Sequence, residues 1–421
     1  MTDKSGHLWP LMLPPAQQGL DELCSVSAQG VRVKFADGRE LLCGTSGLWN
    51  TNLGYGNPAI AQAAADALRD ASYLSVWGYE NSYARQAAAE LVELAGSNHY
   101  ARVLFSTSGG AANDMAMKLV RHFHVIQGQD NRKIILGLHG GFHGLTFGAF
   151  ALTSARLGQQ MYGVDRRLVG HIRPNDPAEL AAVLERIGDR VGAIVVEPVI
   201  GTAAVPLDEQ YIVELLRHRS EYGFLIVADE VTTGFGRIGR TVFATQLWPE
   251  PPDVLITAKG LTNGTQAASA VIVSNTVAEA FTTSVSVLGH AETQAGTPVV
   301  CATIIATIAE MRRLNAVTKS SRLSAKLDVE LSSMVGNEPL VSATTGAGCL
   351  RSLRLSAGDG TPLAQAEIPA VVAAIRDAGA IVHPGPSCIQ LLPALIYSDA
   401  DLDELLNSVK VGLAAYARKI L

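Results

Sequence analysis

The sequence predicts an α/β chain of two unequal lobes, the larger built on a mostly parallel sheet covered on both faces. Three observations carry this. At 421 residues the chain exceeds the usual size of one core. With 48% hydrophobic residues it can fill a large interior and is too apolar for a disordered chain. Through its middle, short apolar runs rich in β-branched residues alternate with amphipathic patterns, as strands joined by helices do.

Taken in order, "VRVKFADGRELLC" (31–43) is two alternating runs around Asp37 and Gly38 and predicts a hairpin. "RVLFS" (102–106) predicts a strand leading into a helix whose Ala112, Met115, Ala116, Leu119 and Phe123 share one face. "KIILGLH" (133–139) and "VGAIVVEPV" (191–199) are the next strands. The helical stretch "DEQYIVELLRHRSEYG" closes on Gly223, a good C-cap, before the strand "FLIVADEV" (224–231). "DVLITAKG" (253–260) and "ASAVIVS" (268–274) follow. From about residue 311, helix-like stretches surround "GCLRSLRL" and "CIQLLPAL", which predicts a smaller α+β lobe. There is no internal repeat and no low-complexity segment.

Composition narrows the function classes. A net charge of −6 and the lack of any basic run argue against a nucleic-acid surface. No stretch reaches the roughly 18 uncharged apolar residues that span a bilayer. The start, "MTDKSGHLWPLMLPP", lacks the basic region and apolar core of a secretory signal. The five cysteines (Cys24, Cys43, Cys301, Cys349, Cys388) lie far apart without a C-x-x-C pair and read as reduced, mostly buried thiols. The expectation is a cytoplasmic globular enzyme with no nucleic-acid or membrane partner.

The segment "VADEVTTGFGRIGR" (227–240) admits two readings. From Gly234 it satisfies the G-x-G-x-x-G fingerprint of dinucleotide-binding folds. That fingerprint requires glycines opening a helix directly off a strand. Here Asp229 and Glu230 intervene, and "RTVFATQLWPEPPD" is a poor helix, so the context fails. The stronger reading pairs Asp229, at one strand end, with Lys259, at the end of the next, thirty residues on. Ligands bind where carboxyl ends of parallel strands meet. A desolvated lysine there attacks an aldehyde, and a facing carboxylate keeps a ring nitrogen protonated. Pyridoxal phosphate needs both. A buried ion pair is the plainer alternative.

Other residues bear on that choice. Ser108, Gly109 and Gly110 in "STSGGAAND" open a helix after a strand, where backbone N–H groups meet an anion; an ordinary N-cap is the alternative. Phe142 in "HGGFHG" suits the face of an aromatic ring. His139 and His143 have i, i+4 spacing, but no glutamate follows His139 and no third ligand is evident, so a metal is a poor reading. "VVEP" puts Glu197 at another strand end.

With these motifs quoted, the chain resembles the class III aminotransferases, ω-transaminase-like members of the pyridoxal-phosphate fold-type I superfamily. "SGLWNTNLGYGNPAI", "VLFSTSGGAANDMAMKLVR", "GGFHGLTFGAFALT", "VVEPVIG", "VADEVTTGFGRIGR", "DVLITAKGLTNG" and "GHAETQAGTPVVCATIIATI" occur in the family's order. The resemblance implies a seven-stranded, mostly parallel sheet between helices and a smaller α+β domain. It divides the chain into an N-terminal segment (1–45) packing with the small domain, a large cofactor domain (46–310) and a small C-terminal domain (311–421). It makes Lys259 the Schiff-base lysine and proton shuttle, and Asp229 the partner of the ring nitrogen. Val231 and Phe142 take the two ring faces, Ser108, Gly109 and Gly110 bind the phosphate, and Glu197 lies near the cofactor. Trp49 and Tyr55 line the substrate entrance. Thr293 matches a threonine that reaches the phosphate of the neighbouring subunit, which implies a homodimer with shared active sites.

Three departures from the family pattern stand out. The usual G-S-E-A-N reads G-G-A-A-N, with Gly110 for the serine and Ala111 for the glutamate. Thr265 and Gln266 stand where an aromatic is usual after "LTNG". No arginine occurs between Arg376 and Arg418, so the fork that holds a substrate carboxylate is missing from "HPGPSCIQLLPAL". His383, Arg237 and Arg351 are the candidate substitutes. These losses suggest an amine or amino-acid donor paired with a ketone or aldehyde that carries no neighbouring carboxylate. The opening "HLWPLMLPP" and the altered loop also resemble daptide-type aminotransferases, which aminate a C-terminal ketone on a ribosomally made peptide. A pyridoxal-phosphate aminomutase or decarboxylating transaminase acting on a small amino acid is the alternative.

Overall fold

The structure is a computed structural model that describes residues 7–420. The opening residues 1–6 of the N-terminal segment, and Leu421, lie outside the described residues.

Seven strands form the central sheet, in the spatial order Tyr100–Ser106, Ser269–Ser274, Val254–Thr257, Leu225–Asp229, Val191–Val196, Ile134–Leu138 and Val169–Ile172. All run one way except Ser269–Ser274, which is antiparallel to both neighbours. The apolar runs follow from burial on both faces. Every residue of Val191–Val196 is buried. Ala193 and Val195 face one core; Ile194 and Val196 face the other. The helix Gly109–Ile126 lays Ala112, Met115, Ala116, Leu119 and Phe123 on the first core. The helices Pro177–Ile187 and Glu209–Tyr222 cover the second with Leu180, Leu184, Tyr211 and Leu215. Each such fully buried aliphatic side chain contributes about 1.5–3 kcal/mol relative to exposure, so this two-sided burial holds the strand ends, and the loops on them, in register.

The predicted hairpin is present: Arg32–Phe35 pairs antiparallel with Glu40–Cys43, and the Asp37 carboxylate accepts the Arg39 backbone N–H at 3.0 Å in the turn. Ala380–Ile381 adds to the same sheet, parallel to Glu40–Cys43, so the N-terminal strands and the C-terminal region are stitched together. "GCLRSLRL" and "CIQLLPAL" supply Leu350–Leu355 and Cys388–Leu391 of a second antiparallel sheet, with Val341–Ala347 and His383–Gly385 at its edges. Ala316–Met334, Ile368–Asp377 and Asp399–Ile420 are its neighbouring helices. Four cysteines are buried and Cys24 is exposed; all five are free. Among the described residues no helix is long and apolar enough to cross a membrane.

Candidate active site

The carboxyl ends of the parallel strands converge on one cavity of about 450 Å³. Ser108, Gly109, Gly110, Phe142, Asp229, Val231 and Lys259 all line it. Asp229 ends a strand and each of the others lies just beyond one, which is why residues from 108 to 259 meet.

Asp229 is the last residue of Leu225–Asp229 and is 3% exposed. Its Oδ2 accepts from Asn113 Nδ2 (2.9 Å) and His143 Nδ1 (2.7 Å), and its Oδ1 from the Val231 backbone N–H (3.1 Å). A buried carboxylate is tolerable only when so satisfied. Burial alone would lower the His143 pKa, but the hydrogen bond and charge of Asp229 raise it. Lys259 opens a short 3-10 turn, Lys259–Thr262, beyond Val254–Thr257, the strand adjacent and parallel to that of Asp229. Its φ of +44° lies in the left-handed region, disfavoured for a residue with a side chain and characteristic of sites where function dictates geometry. Nζ donates to Thr232 Oγ1 at 2.7 Å and lies 4.5 Å from the centroid of the Trp49 ring. Burial pulls the pKa of this amine down to about 8, against the upward pull of Asp229 and Glu197.

The connection between the two strands is a loop with one short 3-10 turn, Ala244–Leu247, anchored on Glu230. The Glu230 carboxylate, fully buried, accepts from Thr233 Oγ1 (2.8 Å), Ala244 N (2.8 Å), Thr245 N (2.8 Å) and Thr245 Oγ1 (2.7 Å). The fingerprint glycines serve this loop. A Cβ on Gly234 would stand 2.8 Å from the Glu230 carbonyl, so Gly234 permits the chain to fold back on Glu230 and cradles no nucleotide.

Ser108 caps the helix Gly109–Ile126 by accepting from the Ala111 backbone N–H at 3.2 Å. Opposite it, Gly144 has φ +126°, and a Cβ there would collide with the Cα of Gly110. The Phe142 loop and the helix N-terminus therefore touch backbone to backbone. A Cβ on Gly110 would sit 3.3 Å from Thr146 Oγ1, so a threonine hydroxyl stands beside the position where the serine is absent. Glu197, 4% exposed, braces the Phe142 loop from behind: it accepts from Phe142 N (2.9 Å) and Gly201 N (3.0 Å). Burial pushes its pKa up to about 7, with His143 pulling the other way.

Four of the anticipated residues stand off the cavity wall: Glu197, behind the Phe142 loop, and Trp49, Tyr55 and Thr293. Trp49 reaches the lysine amine from the Ser46–Trp49 turn, and its flanking residues Leu48 and Asn50 are the ones on the wall. Tyr55 lies behind that turn, its hydroxyl 3.3 Å from Cys43 Sγ, and does not line the cavity. Thr293 is exposed outside it, beside Glu292, which accepts from the Ser106 and Thr107 hydroxyls. Asn113 and Thr232 were missed from sequence, and His143 was weighed there only as a metal ligand. The two histidines of the i, i+4 pair have different surroundings: His139 is exposed, 3.4 Å from Ser154 Oγ, while His143 is buried on Asp229.

None of the three candidate carboxylate binders presents a free cation to the cavity. Arg237 is fully buried and bonded to backbone and neutral side chains. Arg351 pairs with Asp328 at 2.5 Å and bonds the Gly348 carbonyl. His383 packs edge-on to Trp49, ring centroids 4.9 Å apart; burial, with the Lys259 charge acting the same way, holds it down to about 4.

An amine and a carboxylate on adjacent strand ends, apolar Phe142 and Val231 on the walls, and a glycine-lined helix N-terminus fit pyridoxal phosphate. Fold and site together define a pyridoxal-phosphate enzyme of fold type I. Residues 15–413 match the family model described as aminotransferase class-III, and the chain belongs to that family. It is 29% identical over 417 residues to the uncharacterized aminotransferase YhxA of Bacillus subtilis, covering 93% of this chain and 91% of the relative. It is 28% identical over 446 residues to a protein of Solanum lycopersicum named gamma aminobutyrate transaminase 3, chloroplastic, covering 98% and 85%. Among solved structures it resembles a transaminase from the marine bacterium Virgibacillus, with a TM-score of 0.93, 25% identity, and coverage of 100% and 99%.

Proposed function

We propose that this aminotransferase moves nitrogen from a donor amine to a ketone or aldehyde that carries no carboxylate beside the carbonyl, by two half-reactions on one cofactor. The observation that carries the choice of acceptor is the cavity wall. Among the described residues lining it, Lys259 is the sole lysine or arginine, so none of them offers a carboxylate a guanidinium fork.

When bound, the cofactor supplies the electron sink that lets a proton leave the amine-bearing carbon. The chain does the rest. Lys259 Nζ, its pKa lowered to about 8 by burial, would be the nucleophile toward an aldehyde and the base that takes that proton and returns it. Asp229, held by Asn113, His143 and Val231 N, presents its charge to the ring nitrogen. Ser108, Gly109 and Gly110 receive the phosphate at the helix N-terminus. Phe142 and Val231, on the cavity wall, would bracket the ring, and Glu197 holds the Phe142 loop in place. Trp49 borders the amine on the substrate side, and Tyr55 supports the Trp49 turn through Cys43. The chain works as a homodimer in which exposed Thr293 serves the neighbouring cavity; exposed Trp77, Tyr79, Val285 and Val287 suit burial by a second copy.

The test is a screen of donors and acceptors that follows cofactor absorbance, with methyl ketones, a peptide ending in a C-terminal ketone, and α-keto acids as acceptors. Amination of the ketones in preference to α-keto acids is expected. Turnover restricted to small ω-amino acids and α-keto acids would overturn the acceptor assignment. Carbon dioxide release, or a rearranged product without net transfer, would replace it with decarboxylation or aminomutase chemistry.

A further inference from the structure

We infer that Arg237 is a positioning residue of the active site: a buried guanidinium with no carboxylate partner that fastens the Ser46–Asn52 segment, and with it the Trp49 ring, over Lys259. The inference rests on the reading of Lys259 as the reactive amine and goes beyond it.

Arg237 is fully buried and heads the fully buried side chains by volume among the described residues. Among those residues no carboxylate pairs with it; its partners are neutral. One arm, Nη1, donates to the carbonyls of Pro393 (2.6 Å) and Cys349 (3.4 Å). The other, Nη2, donates to Asn52 Oδ1 (2.5 Å) and Ser46 Oγ (3.3 Å). A single planar fork thus joins the loop after Asp229, the segment bearing Trp49, and two strand-end carbonyls of the C-terminal region. Its partners carry the connection onward. Ser46 Oγ donates to the Leu392 carbonyl at 2.6 Å. Asn52 Nδ2 donates to the Phe235 carbonyl at 2.9 Å and packs on Gly260, the residue after Lys259.

The segment needs outside fixing. Ser46, Gly47 and Trp49 have φ of +47°, +67° and +68°, and for serine and tryptophan that region is disfavoured, so the turn persists because its surroundings hold it. An isolated buried cation is also unfavourable, and four neutral acceptors offset part of that cost. Electrostatically, Arg237 lowers the Lys259 pKa while Asp229 and Glu197, on neighbouring strand ends, raise it; His383 faces the same amine and is uncharged. Cys349 and Cys43 are the titratable groups that bear on Arg237 itself.

The test uses the full chain with Trp9→Phe, Trp77→Phe and Trp248→Phe, which leaves Trp49 as the remaining indole of four. Acrylamide quenching reads the accessibility of Trp49. The pH dependence of Lys259 acetylation in cofactor-free protein, followed by peptide mass spectrometry, reads the amine. Arg237→Met is expected to raise quenching about two-fold and to move the Lys259 midpoint upward, because a neighbouring positive charge is gone. Arg237→Lys, which keeps charge and loses the fork, is expected to raise quenching and leave the midpoint near the parent's. Asn52→Ala frees the turn without removing the cation, is expected to match Arg237→Lys, and decides the matter if the Arg237 variants fail to fold. Parental quenching in Asn52→Ala, or parental quenching and midpoint in Arg237→Met, overturns the inference. A parental midpoint near that of an ordinary lysine overturns the reading of Lys259, while quenching still decides the role of Arg237.

Discussion

Asparagine at position 229 is expected to make Lys259 capture an aldehyde faster and hold the cofactor less well. The Asp229 charge is the largest upward pull on the lysine amine, opposing the burial that sets its pKa at about 8. At that value roughly one amine in ten is free base at pH 7, against about one in three thousand for an ordinary lysine. The free amine appears as pH rises through the folded-state pKa, so capture climbs through that window. Asp229→Asn lowers the pKa further; a fall of about one unit leaves roughly half the amines free at pH 7, a gain of about five-fold in capture rate. The side-chain carbonyl still accepts from Asn113 or Val231 N, but the charge that His143 and the ring nitrogen need is lost. Affinity is therefore expected to fall by about ten-fold or more, the worth of a charge-assisted hydrogen bond. Pyridoxal phosphate is mixed with cofactor-free protein across neutral pH, capture is followed by absorbance, and affinity is measured separately. A midpoint that stays or rises refutes the electrostatic assignment, and tighter binding refutes the pairing of Asp229 with the ring.

Glu230→Gln replaces one of two oxygens that together accept four hydrogen bonds, leaving the Ala244 or Thr245 backbone N–H facing an amide donor. A loss of about 2–4 kcal/mol in unfolding free energy is expected by denaturant titration, and an unchanged midpoint and slope would show that the loop is not anchored there. Gly144→Ala pushes the Phe142 loop off Gly110, so cofactor affinity measured by fluorescence should fall at least about ten-fold; parental affinity would mean the two loops part easily. His383→Arg puts a permanent cation beside Trp49 and is expected to lower KM for carboxylate-bearing acceptors by about ten-fold or more, with ketones unaffected. Equal KM values would place the missing carboxylate site elsewhere.

The legible parts of this molecule are those where a local pattern and a tertiary constraint coincide. Strands buried on both faces must be continuously apolar, so "VGAIVV" and "FLIVAD" announced themselves, and Asp229 stood out as the acid ending such a run. Lys259 was legible for the same reason. Asn113, His143 and Thr232 were not, because each acts on a partner brought close only by folding: Asn113 and Asp229 are separated by 116 residues. A histidine pair four apart in a loop carries no helical phase, so its spacing alone did not tell that His143 meets Asp229 while His139 does not. Tyr55 looked like a wall residue because its segment reaches the cavity, yet the left-handed turn at 46–49 sends its neighbours inward instead. The three candidate carboxylate binders could not be ranked without knowing which was buried, which paired and which neutral.

The one reversed strand, Ser269–Ser274, has an effect on what the enzyme can become. Running against its neighbours, it meets the catalytic edge with its beginning, and Ser269 ties down the Ser108 carbonyl at 2.8 Å. The approach to it, Gly264 to Ala268, is consequently a stretch of rim that borders the reacting groups yet precedes any ladder hydrogen bond. Thr265 Oγ1 donates to the Thr262 carbonyl at 2.7 Å and so belongs to the Lys259 turn, whereas size and polarity at Gln266 can vary without disturbing strand register, which makes that position the place where selection or a designer can retailor the range of acceptors.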